Sequence, residues 1–315
     1  MYQKPQNNAN FAGAMRDFES DIFNFLRVHF PGVESVEFHG FRLLGCPGKY
    51  VCVISVPVVA GTSSDAVMQA GMLEEALSMI SEAGSPIHGH EDFSPAGIKV
   101  VIVAEDLWRS RPEMMKPRLL AQFGIFRSVF ARNTEVRRID RPAAGRFLER
   151  CHTYGDAAAR YRYGLFGPGD ELLAVACFSS PRVWNKPEGV VKSCEWVRYA
   201  SLPDVRVTGG MGKVLKAFTE EVRPDDVMSY ADMEWTDGSV YRRLGFTEES
   251  LRSPVLFAVD PVTYMRTPVS RAGMPQGCLF HLNRGSVKYR LRTGYGAGYK
   301  DVDKNIPRLS LLAGV

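Results

Sequence analysis

The chain has 315 residues, about twice the length of a typical domain, so we expect two domains. Hydrophobic residues make up 45% and charged residues 23%, which is ordinary for a globular protein and excludes a disordered chain. The net charge of +4 permits an acidic partner, such as nucleic acid or a polyphosphate cofactor, without requiring one. No apolar run reaches the roughly 18 residues of a membrane span. The polar first ten residues have no signal-peptide core, so we expect a cytoplasmic protein with no membrane partner.

The cysteines and histidines do not form a recognisable metal or disulfide pattern. The six cysteines include no Cys-x-x-Cys pair, which predicts buried free thiols in a reducing compartment. His88, His90, Glu91 and Asp92 could bind a metal ion, but no distant ligand accompanies them. We therefore predict no metal site.

The N-terminal part alternates helices and strands. After a flexible tail (1–13), an α/β domain is predicted over 14–128, with helices at 14–30, 63–83 and 112–123 and strands at 35–44, 50–59 and 98–104. Ser63-Ser64-Asp65 is predicted to cap the second helix, and the apolar residues at helical spacing after it are predicted to be core. These are Met68, Met72, Leu73, Leu77 and Ile80.

One stretch of this domain resembles a known fold. Glu105-Asp106-Leu107-Trp108 at a strand end, followed by a helix from Pro112 and Gly124, is similar to phage-borne domains of the restriction-endonuclease type. That resemblance implies Mg²⁺ held by acidic residues on central strands. Glu19 matches a helix acid of the family, but the strand 50–56 carries no acid, so nuclease chemistry is not expected.

The C-terminal part is organised around a glycine-rich turn. Its predicted order is a strand (135–139), a helix (142–151), three antiparallel strands (161–166, 171–179, 190–200), the turn Val207–Lys213 with a helix, a strand (227–231), and a segment closing on Tyr241–Phe246. Glycines let backbone N–H groups approach an anion, and a helix N-terminus supplies unpaired donors. The turn therefore indicates a phosphate-binding site.

This order resembles the GNAT (N-acyltransferase) fold, in particular the GNAT-like domains of phage, mobile-element and Mom-type DNA-modification proteins. The matching motifs are Glu195-Trp196-Val197-Arg198, the glycine turn, and Tyr241-Arg242-Arg243-Leu244-Gly245-Phe246. The resemblance implies a GNAT-like mixed sheet flanked by helices over 129–262, which binds acetyl-CoA or another acyl-CoA.

The resemblance also implies which residues hold the cofactor. In the family the turn begins with Arg or Gln, where this chain has Val207, with Arg206 one residue earlier. The candidate cofactor-binding residues are Val207, Thr208, Gly209, Gly210, Met211, Gly212, Lys213, Tyr199 and Ala200.

Acyl transfer also needs proton donors and acceptors. In the family, a Tyr on the late helix protonates the leaving thiolate, and Tyr241 takes that position. His152, Asp232 and Glu195 are candidate bases. Trp235 and Arg198 are candidate substrate contacts, Trp235 by stacking on a base and Arg198 by contacting a phosphate.

Residues 263–315 form a basic extension containing glycines and tyrosines. Arg290 and Arg292 are candidate nucleic-acid contacts within it, and a solvated extension is the alternative. The sequence therefore predicts an acyl-CoA-dependent N-acyltransferase with an unknown acceptor, nucleic acid modification being one variant. The alternative is a non-catalytic protein that binds DNA or RNA through a GNAT-like core.

Overall fold

The computed structural model describes residues 11–46, 48–83, 98–186 and 189–294. Within these residues the helices are α1 (Phe11–His29), α2 (Ser63–Ala83), α3 (Glu105–Ser110), α4 (Pro112–Gln122), α5 (Arg141–Cys151), α6 (Gly210–Val222), α7 (Ser239–Arg243) and α8 (Val269–Ala272). The strands are β1 (Glu34–Phe38), β2 (Phe41–Gly45), β3 (Val51–Val56), β4 (Lys99–Ala104), β5 (Arg127–Phe130), β6 (Glu135–Arg138), β7 (Tyr161–Phe166), β8 (Leu172–Phe178), β9 (Arg182–Lys186), β10 (Gly189–Ser201), β11 (Val205–Thr208), β12 (Asp226–Asp232), β13 (Thr247–Arg252), β14 (Leu256–Val259), β15 (Arg266–Pro268), β16 (Leu279–Leu282) and β17 (Ser286–Arg292). None of the helices so described is both long and apolar enough to span a bilayer.

The predicted α/β class is confirmed, because mixed sheets carry helices throughout the described residues. The chain forms two compact units, of which the first combines the described residues up to Pro112 with Pro254–Arg284. The second contains Glu113–Ser253 and the described residues from Gly285 onward. The predicted domains at 14–128, 129–262 and 263–315 divide the chain differently, since residues 254–284 return to the first unit.

The first unit is a four-stranded sheet in the order β1-β2-β3-β4, with β3 and β4 parallel. Every residue of β3 is buried, as the sequence predicted for a strand covered on both faces. A second small sheet, β15-β14-β16, is built from the returning segment. Arg266 in this segment forms a bidentate ion pair with the fully buried Asp106, with Nη2 and Oδ1 2.6 Å apart. This buried pair ties the returning segment to the first unit.

Three local predictions for this unit are wrong. The strand expected over 35–44 is a hairpin, because His39 and Gly40 both adopt positive φ angles (49° and 80°) and make a two-residue turn. The α2 cap is Thr62, whose Oγ1 accepts from the backbone N–H of Asp65 while Asp65 Oδ2 accepts from that of Thr62. Met68 and Met72, predicted as core residues, are exposed, whereas Leu73 and Ile80 are buried as predicted.

Four of the six cysteines are buried, and all are free thiols. Burial raises the pKa of Cys177 to about 11, so this thiol stays protonated. No group of three or more potential metal ligands occurs among the described side chains. His88, His90, Glu91 and Asp92 lie outside the described residues.

The second unit is organised around one large mixed sheet with the order β13-β17-β12-β10-β8-β7-β6, with β9 added to β10. All pairs are antiparallel except β10 with β12. α5 packs on one face through Ala144, Phe147 and Leu148, and α6 packs on the other through Val214, Leu215 and Phe218. The predicted order of strands and helices from 135 to 246 is confirmed, whereas the short strands β5, β9 and β11 were not predicted.

The basic stretch predicted as an extension supplies a central strand of this sheet. β17 lies between β12 and β13, pairing Tyr289 with Ser229 on one side and with Glu248 on the other. Arg290 pairs its guanidinium with Asp226, at 2.6 Å between Nη1 and Oδ1, and with Glu249, at 3.1 Å between Nε and Oε1. In this segment, the alternation of cationic and apolar residues therefore belongs to a strand, and its cationic face is ion-paired.

Asp226 is fully buried, and Arg290 and Ser193 are its partners. Replacing Arg290 by Met should leave this carboxylate without its counter-charge and destabilise the protein by about 3–5 kcal/mol. The matched control is Arg127→Met, which breaks the exposed ion pair with Glu171 and should cost less than about 1 kcal/mol. Urea unfolding measures both values. Equal, small losses would contradict a buried role for the Arg290 pair.

Candidate active site

The site lies where β10 and β12 separate. These parallel strands are paired only from Ser193–Glu195 to Asp226–Met228. β10 then has an irregularity between Trp196 and Arg198 and continues against β8, while β12 continues against β17. Beyond the last pair, the facing edges of the two strands no longer share ladder hydrogen bonds. An extended ligand can therefore use the backbone groups of β10 at this position.

The glycine turn begins α6 directly above this part of β10. Gly209 is in the left-handed region (φ 79°) and caps the helix without a side-chain hydrogen bond. A Cβ on Gly210 would lie 2.9 Å from Val207 Cγ1 and 3.0 Å from the Tyr199 hydroxyl oxygen. Only glycine fits there without displacing the first turn of the helix. The uncapped N–H groups of this turn give the site donors for an anion.

The side chains on either side of the turn are engaged with other parts of the unit. Val207 is buried and pairs with Val129 of β5, while Arg206 alternates to the exposed face and stacks on the Phe126 ring at 4.2 Å. Lys213 Nζ donates to the carbonyls of Ala131, at 2.8 Å, and Thr134. The ammonium expected beside a phosphate thus holds the turn at 131–134 in place. Backbone N–H groups are left as the main anion donors of the turn.

Tyr241 lies at the strand separation. Its hydroxyl is 3.1 Å from Ser229 Oγ, which itself donates to the Trp196 carbonyl at 3.1 Å. The ring stacks on Tyr289 of β17, with centroids 5.1 Å apart, so β17 fixes its position. Burial raises the pKa of Tyr241, and also that of Tyr199. Both phenols keep their protons at neutral pH.

Of the remaining cofactor candidates, Ala200 directs its side chain into the α5 face of the sheet. Only its backbone belongs to the candidate site. Thr208, Met211 and Gly212 stay with Gly209 and Gly210 around the start of α6. The structure therefore brings together the predicted cofactor residues, with Lys213 and Val207 in supporting positions.

A second group of residues follows the end of β12. Asp232 Oδ1 accepts the backbone N–H of Glu234 at 2.9 Å, and Trp235 behind it is nearly buried. The guanidinium of Arg118 on α4 lies over the Trp235 ring, with Cζ 4.2 Å from the centroid. Arg118 is not among the site residues that the sequence predicts, since a lone Arg on a helix carries no motif.

His152 ends α5 next to this group. Its Nδ1 accepts the backbone N–H of Tyr154 at 3.1 Å, which places the proton of the neutral ring on Nε2. That bond works against His152 as a proton acceptor. The backbone N–H of Glu195 donates to Ser179 Oγ, and the Glu195 carboxylate attracts the guanidinium groups of Arg198 and Arg252. Asp232 ends β12 beyond its last residue pair with β10, and we keep it as the candidate base.

The two arginines predicted as nucleic-acid contacts lie in β17. Arg290 has the ion pairs described above. Arg292 is exposed at the end of the strand, opposite Asp226 in the register. Neither lies in the group around Tyr241 and Trp235.

No family model and no curated protein matches this chain. Solved structures similar to it include the Bacillus subtilis acetyltransferase in complex with CoA, at 14% identity, covering 50% of this chain and 98% of that one, with a TM-score of 0.31. The ribosomal-protein-S18-alanine N-acetyltransferase from Escherichia coli is similar at 13% identity, covering 55% of this chain and 97% of that one, with a TM-score of 0.32. Spermidine/spermine N-acetyltransferase SpeG from Vibrio cholerae matches at 10% identity, covering 51% of this chain and 94% of that one, with a TM-score of 0.33. Identities and scores this low carry no weight for activity.

Proposed function

We propose that the second unit binds an acyl-CoA and transfers its acyl group to an amine. The observation that carries the proposal is the uncapped, glycine-opened N-terminus of α6, packed on Tyr199 where β10 has left β12. It is supported by the hydroxyl of Tyr241 at the same strand separation. An anion-binding turn, an unpaired strand edge and a protonated phenol are what a thioester-dependent transfer needs in one place.

The α6 N–H groups would bind the pyrophosphate, because the first turn of a helix offers unpaired donors and the positive end of the dipole. The side chains fit this role, since a Cβ at Gly210 would fill the close approach to Val207 and Tyr199. The segment Arg198–Ala200 of β10, which no longer pairs with β12, would hold the extended arm of the cofactor by backbone hydrogen bonds.

The acyl-CoA supplies a thioester: the amine nitrogen bonds to its carbonyl carbon, the C–S bond breaks, the amine gives up a proton and the thiolate takes one. Tyr241 would deliver the proton to the thiolate. Burial raises its pKa, which makes it a weaker acid but keeps it protonated at neutral pH. Asp232 would take the proton from the amine.

Nucleic acid is one acceptor class that this proposal includes. The structure gives it less support than the sequence did, because Arg290 is bound to Asp226 and Glu249. The ion pairs of β17 likewise work against a purely nucleic-acid-binding role for this unit.

Replacing Gly210 by Ala should weaken CoA binding about tenfold or more, because the new Cβ displaces the first turn of α6. Gly145→Ala, inside α5, is the matched control. There the nearest atom is Asp156 Oδ2 at 3.6 Å, and Ala is the better helix former. Isothermal titration with CoA measures both affinities. CoA binding that is equal in the wild type and Gly210→Ala would contradict the location of the site.

Replacing Tyr241 by Phe should lower kcat about a hundredfold with little change in CoA affinity, since it removes a proton donor and keeps the stacked ring. Tyr230→Phe, on β12, is the control, because its hydroxyl accepts from Arg252 of β13. Acetyl-CoA turnover with a panel of primary amines, followed by mass spectrometry, gives the rates. A Tyr241→Phe protein with wild-type kcat would remove Tyr241 from the mechanism.

A further inference from the structure

Two arginines on the second unit lie beside one tyrosine. Arg118 comes from α4, Arg198 from the irregular part of β10, and Tyr154 from the turn after α5. Together with Trp235 we call them the two-arginine recess. The Arg198 Cζ is 5.9 Å from the centre of the Tyr154 ring. Arg118 Nη1 donates to Thr153 Oγ1 and Arg198 Nε donates to the Gly155 carbonyl, each at 3.1 Å, so both guanidinium groups border the turn 153–155.

Arg198 is held by carbonyl oxygens alone. Its Nε donates to Gly155 O at 3.1 Å and its Nη1 to Val197 O at 2.9 Å. Among the described residues no carboxylate forms an ion pair with it. The guanidinium is thus oriented by two backbone groups, while Nη2 keeps its N–H donors for another acceptor.

Arg118 shows the same pattern. Its Nη1 donates to Thr153 Oγ1 at 3.1 Å, and its plane lies over Trp235. Asp232 and Glu234 attract it at longer range, yet within the described part of the chain it makes no direct ion pair. Nε and Nη2 stay available in a fork that matches an oxyanion.

Burial without a counter-ion is costly for a cation. It lowers the pKa of both Arg118 and Arg198 from their ordinary value. Structural arginines in this unit avoid that cost with direct partners, as Arg162 does with Asp156 at 2.8 Å. A recess that keeps two such cations unpaired is suited to an incoming anion.

We propose that the acyl acceptor carries an oxyanion, a carboxylate or a phosphate, that binds between Arg118 and Arg198. The inference rests on the proposed transferase function and names its acceptor class. The exposed ring of Tyr154 supplies a flat surface beside the anion. The acceptor amine then belongs to an amino acid or a nucleotide, whereas polyamines are repelled by the two cations.

The first experiment measures anion binding without any acyl-CoA. Inorganic phosphate and acetate are titrated into the full chain at constant ionic strength, with chloride as the compensating anion, and tryptophan fluorescence is recorded. We expect saturable binding of at least one probe, weakened tenfold or more by Arg118→Gln and by Arg198→Gln. Arg206→Gln removes the same charge from an exposed site of the same unit and should leave binding unchanged.

Arg118→Lys provides a second variant if the Gln variants fold poorly, as judged by circular dichroism. It keeps the charge and loses the fork, so we expect intermediate affinity. Folded Arg118 and Arg198 variants that bind both anions as Arg206→Gln does would overturn the proposal.

The second experiment uses matched amines with acetyl-CoA. Amino acids are compared with their amides, and aminonucleosides with their 5′-monophosphates. We expect faster acetylation of the carboxylate or the phosphate partner, and that difference should be lost in Arg198→Gln. The preferred pair identifies the oxyanion.

The two hypotheses fail separately. If acetylation is equally fast with and without the oxyanion in every pair, the proposal for the two-arginine recess is overturned and the transferase proposal stands. Anion binding that depends on Arg118 and Arg198, without acetylation of any amine, contradicts the transferase and its acceptor, while the anion site itself stands.

Discussion

The short parallel pairing of β10 and β12 is the constraint on which the second unit depends. Only three residue pairs join these strands, and the pairing ends just before the irregularity of β10 between Trp196 and Arg198. At the separation, backbone groups on the facing edges of both strands lose their ladder partners, and three features of the unit lie there. Ser229 donates across it to Trp196, Tyr241 closes on Ser229, and α6 begins above Tyr199. The strand separation thus costs ladder hydrogen bonds at one point, and it brings other hydrogen-bond donors together at the same point.

The last strand of this sheet is added only after the chain has passed through the first unit. Residues 254–284 belong to the first unit, and β17 then returns between β12 and β13. Tyr289 of β17 stacks on Tyr241, and its hydroxyl accepts from Arg242, so the late strand positions the candidate acid. A Cβ on Gly238 would lie 2.0 Å from that hydroxyl oxygen, which explains the glycine at the start of α7. The position of the candidate acid therefore depends on a segment that follows the other elements of the site in sequence.

Elements with strong local signals could be predicted. β7 spans the range that the sequence predicted, and Gly210 begins a helix as expected. β17 was not predicted as a strand, because its arginines and lysine balance carboxylates that are distant in sequence. Arg118 was missed for the same reason: its partners Thr153 and Trp235 are brought to it only by the fold. Lys213 was predicted to bind the cofactor, but its ammonium donates to two backbone carbonyls. Long-range polar contacts leave no periodicity in the sequence, so they are what sequence reasoning could not supply.

Amide hydrogen exchange with and without acetyl-CoA tests the central claim most directly, because it reports on the backbone donors themselves. The account predicts that saturating acetyl-CoA slows exchange at the first turn of α6, Gly209–Gly212, and along Arg198–Ala200 of β10. Protection by acetyl-CoA confined to other segments, or no protection at saturating concentrations, would contradict an acyl-CoA site at the separation of β10 and β12.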